Sequence, residues 1–316
     1  MIGDASQALI NKNQQDSPKK VSLLRLIIKD RSAMIGLIII SIFFAWSIIQ
    51  GFLEFISNFG NYQSLGYILL PHDPFQLNPF ASSLPPSTHY LLGTNSSGED
   101  ILSRILYAVP RDAFIAVIVV GVSIGVGAVL GIIAGYIGKF VDDIVMRITD
   151  AFLSVPPLIL VIAVSVILNE SYFAAVVGLL VVWWPIYARF FRGEILKIKR
   201  LDYVQAAKLN NVGMFSFFFR YLFMNSTDPI IAYAALDFGN VILMYSTLAF
   251  LGIGLSPPIP ELGSMAANGV GALPMDWWWA LAPGFAILII VIGSVLFMKR
   301  YLKKNENIPT LFSFAA

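Results

Sequence analysis

No cysteine occurs anywhere in the chain. Disulfides, thiolate metal sites, cysteine nucleophiles and lipoprotein-type anchoring are therefore excluded. Histidine is nearly absent: His72 and His89 are the only two, and both fall in one polar stretch. Charge is scarce as well. Charged residues make up 13% of the sequence, against about 25% in ordinary soluble domains. The net charge of +2 is too small to imply a nucleic-acid partner. No internal repeat with a period of about 20–50 residues is visible.

Apolar residues fill the gap. They are 57% of the 316 positions, and the mean hydropathy is +0.76. A single water-soluble globule has too little interior for so much apolar surface. The composition predicts an all-α protein spanning a lipid bilayer. Runs of about 18 or more weakly charged residues mark helices that cross it. Six such runs are present, at 33–53, 113–138, 151–168, 171–188, 229–255 and 277–298. Only Asn169 and Glu170 separate the third from the fourth, which predicts a tight hairpin. Pro156, Pro157 and Pro185 lie inside these runs, where neighbouring helices can satisfy the carbonyls that proline frees.

Lysine and arginine set the orientation. With six spans, all of the 21 basic residues except Arg104 and Arg111 fall on one side. Loops rich in these residues stay in the cytoplasm. Both termini are therefore expected there, as residues 1–32 and 299–316, with a cytoplasmic loop at 189–228. Residues 54–112 form a long external loop in this reading, irregular at first and helical from about Ser97. The core spans 113–298. Trp277, Trp278 and Trp279 fall at the outer interface, which indole rings favour. The first long apolar run begins late and is long enough to span, so no cleavable signal peptide is expected.

Two enzyme-like patterns fail on context. Gly121–Gly125 reads G-x-S-x-G, but a serine hydrolase needs a strand–turn–helix setting and a histidine partner. This copy lies within an apolar span. Its glycines, with Gly127, Gly131 and Gly135, instead make small-residue spacings that let another helix approach. The stretch "GTNSSGED", Gly93–Asp100, has the two glycines of a P-loop but Glu99 where the phosphate-binding lysine belongs. No nucleotide site, cofactor site or catalytic set follows from the sequence. A metal site at the two histidines is a weak pattern.

Two features remain. Asp237 is the one ionisable residue deep within a span, where a carboxylate is costly and should face the bundle interior, a partner or a water path. It reads either as a hydrogen-bonded structural residue or, with Asn240, as part of a translocation path. The second feature is "RLDYVQAAKLNN", 200–211. Asp202 and Gln205 approach a capping box. Tyr203 to Asn210 make about two helical turns, with Leu209 among them. Asn211 is placed to stop them as a left-handed residue. Ala206 and Ala207 offer a close-packing face. Such a helix is either a surface connector or a docking element.

Four segments, in order, resemble the permease subunits of ABC importers of the dipeptide/oligopeptide type, specifically the second, "C"-kind subunit. "YVQAAKLNN…FRYLFMN" is similar to the EAA loop of such permeases. "LLGTNSSGEDILSRILYAVPRDAFIAV" is similar to their L-G-T-D-x-x-G-x-D-x-L-S-R signature. "GYIGKFVDDIVMRITDAFLSVPPLIL" and "LDFGNVILMYSTLAFLGIGLSPPIPELGSM" resemble the same subgroup. The EAA glutamate is Gln205 here, its glycine is Asn211 and its proline is Met224; the aspartate of L-G-T-D is Asn95. The resemblance implies a half-channel in the cell membrane that pairs with a second, homologous permease. It also implies two cytoplasmic ATPases, which receive the helix carrying Asp202, Tyr203, Gln205, Ala206, Ala207, Leu209, Asn210 and Asn211, and an external substrate-binding protein. Peptides are the implied substrates; oligosaccharides and metal chelates occur in the same subgroup. The reading from another class is a secondary transporter or channel acting alone, which calls for paired intramembrane charges.

Overall fold

The computed structural model describes residues 30–60, 63–210, 212–255 and 258–304. The described regular structure is helical: α1 (Arg31–Gly60), α2 (Ile101–Ile137), α3 (Lys139–Leu153), α4 (Pro157–Ile167), α5 (Tyr172–Ile198), α6 (Asp202–Leu209), α7 (Met224–Phe250), α8 (Leu262–Gly269) and α9 (Trp277–Lys304). Short turns at Gln63–Tyr67, Pro79–Ala81 and Met214–Ser216 and a π-helical turn at Phe217–Phe223 link them. Five of the helices are long and apolar enough to cross a membrane, and a sixth crossing results if α3 and α4 count as one.

Helix α2 packs along α5 as the spine of the bundle. The glycines explain how closely. A Cβ on Gly127, Gly131 or Gly135 would collide with Tyr187, Ala188, Phe191, Arg192 or Ile195 of α5. Gly121 and Gly125, on another face of α2, meet nothing. The glycine run thus serves two faces, only one of which is filled among the described residues. Helices α1 and α9 lie side by side, and α9 also receives α7 and α8. The fully buried Tyr187, Phe191, Ile195, Ile115, Ile132, Ile242 and Leu248 form the centre.

The hairpin between α4 and α5 turns through Asn169 and Glu170, both with positive φ (64° and 47°). Ser171 then caps α5 by accepting from the Ala174 N–H at 3.2 Å. This matches the sequence expectation.

Several boundaries differ from expectation, each for a physical reason. Helix α1 extends to Gly60, and α2 begins at Ile101 instead of at residue 113. A count of charges stops at Glu54, Arg104, Arg111 and Asp112. In the fold, Arg111 of α2 pairs with Glu54 of α1 at 2.8 Å and Arg104 pairs with Glu99 just before α2, so three of these four charges are held in ion pairs, while Asp112 is buried without a hydrogen-bond partner among the described residues. The expected third span, 151–168, is not one helix. Helices α3 and α4 meet at 88° across Ser154–Pro156. The proline pair is the cause: neither residue has an N–H to donate back into α3, and Pro156 takes an extended ψ of 128°. The fifth span starts at Pro229 as expected, within a helix that begins earlier, at Met224 after the π-helical turn, and ends at Phe250 rather than 255.

The loop between α1 and α2 is ordered by the segment that resembled a P-loop. Asn95 is its hub: Oδ1 accepts from the N–H groups of Ser97 (3.0 Å) and Glu99 (2.9 Å), and Nδ2 donates to Glu99 Oε2 (2.6 Å). Asp100 caps α2 by accepting from the Ser103 N–H at 3.0 Å. The Trp278 indole N–H donates to the Thr94 carbonyl at 3.2 Å, which fastens the loop to α9.

Candidate functional site

The first candidate is α6, between two long helices. It runs Asp202–Leu209, one residue earlier than expected at each end. The expected capping box does not form. Leu201 is the N-cap and gives no side-chain bond, Asp202 is already the first helical residue, and Gln205 Nε2 donates instead to the Lys199 carbonyl at 2.6 Å. Asp202 still favours the helix, as an acid in the first turn opposite the positive end of the dipole. At the other end the Val212 N–H reaches the Ala207 carbonyl at 3.4 Å, the span of a Schellman closure. Asn211 lies outside the described residues.

The two alanines of α6 part company. Ala207 is 5% exposed and joins Val204, Phe217 and Ile198 in this chain's own core. Ala206 is exposed, with Asp202, Tyr203, Gln205, Leu209 and Asn210 around it. Leu209 is 83% exposed, an apolar side chain held out on a short polar helix. Ala207 and Val204 therefore fasten α6 to the bundle, and of the two alanines only Ala206 stands on the exposed side. Lys199 reinforces the mounting: its ammonium donates to the Gly135 carbonyl at 2.8 Å, at the last turn of α2.

The second candidate lies in the middle of the bundle. Asp237 is 2% exposed. Its Oδ1 accepts from Asn240 Nδ2 at 3.2 Å, one turn further along α7. From α5, the Trp183 indole N–H and the Tyr187 hydroxyl lie near the carboxylate but outside hydrogen-bond geometry. Tyr233 closes the group, 5.9 Å from the Tyr187 ring. Asn240 itself is exposed on α7. The sequence singled out Asp237 and Asn240 but missed Trp183 and Tyr187, because an aromatic residue in an apolar run carries no mark of its polar end.

A third polar group sits at the end of the bundle nearest the loop between α1 and α2. Two adjoining cavities, about 430 Å³ and 230 Å³, share Arg104, Pro258, Met265 and Asn268 as walls. Arg104 ties the loop down, donating to Glu99, to the Pro74 carbonyl (3.0 Å) and to the Pro258 carbonyl (3.3 Å). Glu261, on the smaller cavity, is buried. Its Oε1 accepts from the Tyr245 hydroxyl and from the Leu255 N–H (3.0 Å), while Oε2 has no partner. Burial pushes this carboxyl up to about 7. His72 and His89 meet with ring centres 4.9 Å apart, yet among the described residues no three acidic or histidine side chains are arranged to hold a metal ion. Ser123 of the G-x-S-x-G pattern is buried inside α2.

None of these groups pairs a nucleophile with a base. They comprise a short helix with one side buried and one side exposed, a carboxylate at mid-bundle and a polar recess at one end. The comparisons with known proteins agree with that inventory. Residues 127–305 match the family model described as "Binding-protein-dependent transport system inner membrane component". A probable D,D-dipeptide transport system permease protein of Escherichia coli is 37% identical over 72% of this chain and 77% of its own length. A dipeptide transport system permease protein of Haemophilus influenzae is 36% identical over 84% of this chain and 86% of its own. A di/tripeptide transport system permease protein of Pseudomonas aeruginosa is 32% identical over 71% and 76%. The chain belongs to the family of inner membrane components of binding-protein-dependent transport systems.

Proposed function

We propose that this chain is the transmembrane subunit of an ATP-driven importer of short peptides and forms half of the translocation path. Its termini and α6 face the cytoplasm of a prokaryotic cell, and the segment between α1 and α2 faces outward. A second, homologous permease completes the path. Two ATPase subunits hold the energy source and engage α6, and an external binding protein brings the substrate to the outer loop. The peptide substrate follows the relatives, which are named as dipeptide and di/tripeptide permeases. Asp237 braces α7 against α5 at mid-path, and the exposed Asn240 lies at the path's edge.

The observation that carries the reading is the two-sided mounting of α6. One side is fixed in the core through Val204 and Ala207, and the other stands free with Tyr203, Ala206 and Leu209. A lever needs that combination of rigid attachment and open surface. The test is reconstitution with the second permease, the ATPases and the binding protein in vesicles, following labelled dialanine. Uptake is expected only with ATP and all subunits present. Peptide flux through this chain alone, without ATP, would overturn the proposal.

A further inference from the structure

Both arginines at the start of α2 have their charges committed. Arg104 is paired with Glu99 and Arg111 with Glu54. Glu261 and Asp112, each 1% exposed, are left without an ion pair among the described residues. They stand near enough for their charges to repel. Glu261 is half satisfied: Oε1 accepts from the Tyr245 hydroxyl and the Leu255 N–H, and Oε2 accepts from nothing. A carboxylate oxygen can accept two hydrogen bonds, and a buried carboxylate without a countercharge is costly.

Oε2 lies over bare backbone. A Cβ on Gly254 would come within 2.6 Å of it, and Gly254 and Glu261 are both walls of the smaller cavity, about 230 Å³. With the adjoining cavity of about 430 Å³, the recess falls within the roughly 300–1,000 Å³ of small-molecule sites. Its walls come from helix ends: Arg104 from the first turn of α2, and Gly254 and Glu261 from between α7 and α8. Pro258 and Asn268, common to both cavities, are exposed and open the recess to solvent. Arg104 is the one cation among the described walls, and Glu99 neutralises it. The unbalanced charge on the lining is therefore the Glu261 carboxylate. A guanidinium would want both its oxygens for a forked contact, and Oε1 is taken. A divalent metal ion needs a larger set of oxygen ligands, and no three acidic or histidine side chains gather among the described residues. A primary ammonium brings three separate donors, which suit Oε2 and the neutral polar walls Ser264 and Asn268.

We propose that this recess binds the primary ammonium group of a short peptide, with Glu261 Oε2 as its acceptor. That the ammonium belongs to a peptide rests on the importer reading above. Binding competes with a proton. The Glu261 carboxyl, pushed up to about 7 by burial, lies beside Tyr245 of α7, Tyr172 of α5 and both Asp112 and Arg111 of α2. Of these only Arg111 is a cation, and Glu54 holds it. An ammonium favours the ionised carboxylate, so its binding displaces the proton and tightens as pH rises through that value.

Asn268→Cys puts the chain's only thiol at the mouth of the recess. The complete complex in detergent is treated with a cationic or an anionic methanethiosulfonate, and modification is read from the mass of this chain. Each rate is taken relative to that of a small free thiol. The cationic reagent should react about tenfold faster than the anionic one. Glu261→Gln should erase the difference, while its amide oxygen can still accept from Tyr245 and Leu255. The ratio of the two rates cancels the thiol's own ionisation, so it should rise from pH 6 to pH 7.5 with Glu261 and stay flat with Gln. Dialanine should protect the thiol, and N-acetyldialanine, which has no ammonium, should need about tenfold or more the concentration. That comparison needs no change at Glu261. If neither reagent reacts, the second permease closes the recess and the proposal fails. Equal rates for the two reagents, or equal protection by the acetylated peptide, overturn it, and Glu261 then holds a proton only. Equal protection by potassium chloride at the same concentration makes this an inorganic-cation site and overturns the assignment to peptides. Dialanine uptake by the unsubstituted complex in vesicles is measured alongside. Uptake without protection strikes down the site alone; protection by dialanine without uptake strikes down the importer reading and leaves the ammonium site standing.

Discussion

Arg192 of α5 grips Asp142 of α3 at two points, Nε to Oδ1 at 3.0 Å and Nη2 to Oδ2 at 2.7 Å. Further along the same pair of helices, Arg189 meets Asp150, and Phe152 meets Trp184. These contacts run in antiparallel order, so α3 lies along α5 as far as the break. The forked Arg192 contact is the one with geometry that a lysine cannot reproduce. A double-mutant cycle on Asp142→Asn and Arg192→Gln, read by thermal unfolding in detergent, should give a coupling of about 1 kcal/mol, the upper range for a partly exposed pair. Arg192→Lys should lose most of it. A coupling indistinguishable from zero would show that the pair contributes no stability.

The two glycine faces of α2 make a paired prediction. Gly131→Ala puts a methyl group into Ala188 and Phe191 of α5 and should cost about 1–3 kcal/mol as the helices are forced apart. Gly125→Ala meets nothing and should be neutral or slightly stabilising in the isolated subunit, since alanine is the better helix former. Melting temperatures of the two variants decide it: equal losses would mean that close helix approach is not what the stripe supplies. The same Gly125 variant in the full complex then reports on whether a neighbour uses the open face.

What the sequence revealed, and what it hid, follows from how each signal is written. Five of the six spans and the Asn169–Glu170 turn were legible because hydropathy and turn chemistry are local. The ends of α1 and α2 were not, because Glu54, Arg104 and Arg111 count as charges until their partners in the fold are known. Pro156 and Pro157 were visible, but a continuous span and an 88° elbow differ by whether neighbouring helices close over the freed carbonyls. That is a tertiary fact. Asp237 announced itself as the single acid in an apolar run, whereas Glu261, outside the runs, looked like any loop acid until its burial was seen.

Glu261 makes stability depend on pH with a definite sign. Burial raises its carboxyl from the ordinary 4.5 to about 7, against a smaller opposing pull from the Leu255 N–H and Arg111. The folded state therefore holds a proton that the unfolded chain has released between about pH 4.5 and 7. Stability from this group is full below the lower value and falls as pH rises through the upper one, by at most about 3 kcal/mol. Unfolding temperature measured from pH 5 to pH 8 should decline for the wild type and decline less for Glu261→Gln, which is neutral throughout. If the two profiles run parallel, Glu261 is not the group that titrates.

The neighbouring alanines of α6 separate mounting from docking. Ala207 packs into this chain's core beside Val204 and Phe217. Ala207→Trp should therefore overpack it, at about 1–3 kcal/mol, and lower the melting temperature of the subunit alone. Loss of ATPase binding in that variant would say nothing about contact. Ala206 is exposed, so Ala206→Trp should leave the isolated subunit's melting temperature unchanged while blocking capture of the ATPases and peptide-stimulated ATP hydrolysis in the assembled complex. Leu209→Asp tests the same face through desolvation, because an acid replaces an apolar side chain that protrudes almost fully. Capture and hydrolysis are the measurements, each set beside the melting temperature of the same variant. If Ala206→Trp and Leu209→Asp both assemble and hydrolyse normally, the free side of α6 faces solvent in the complex. The helix is then a connector between α5 and α7, and the ATPases must be engaged elsewhere on the chain.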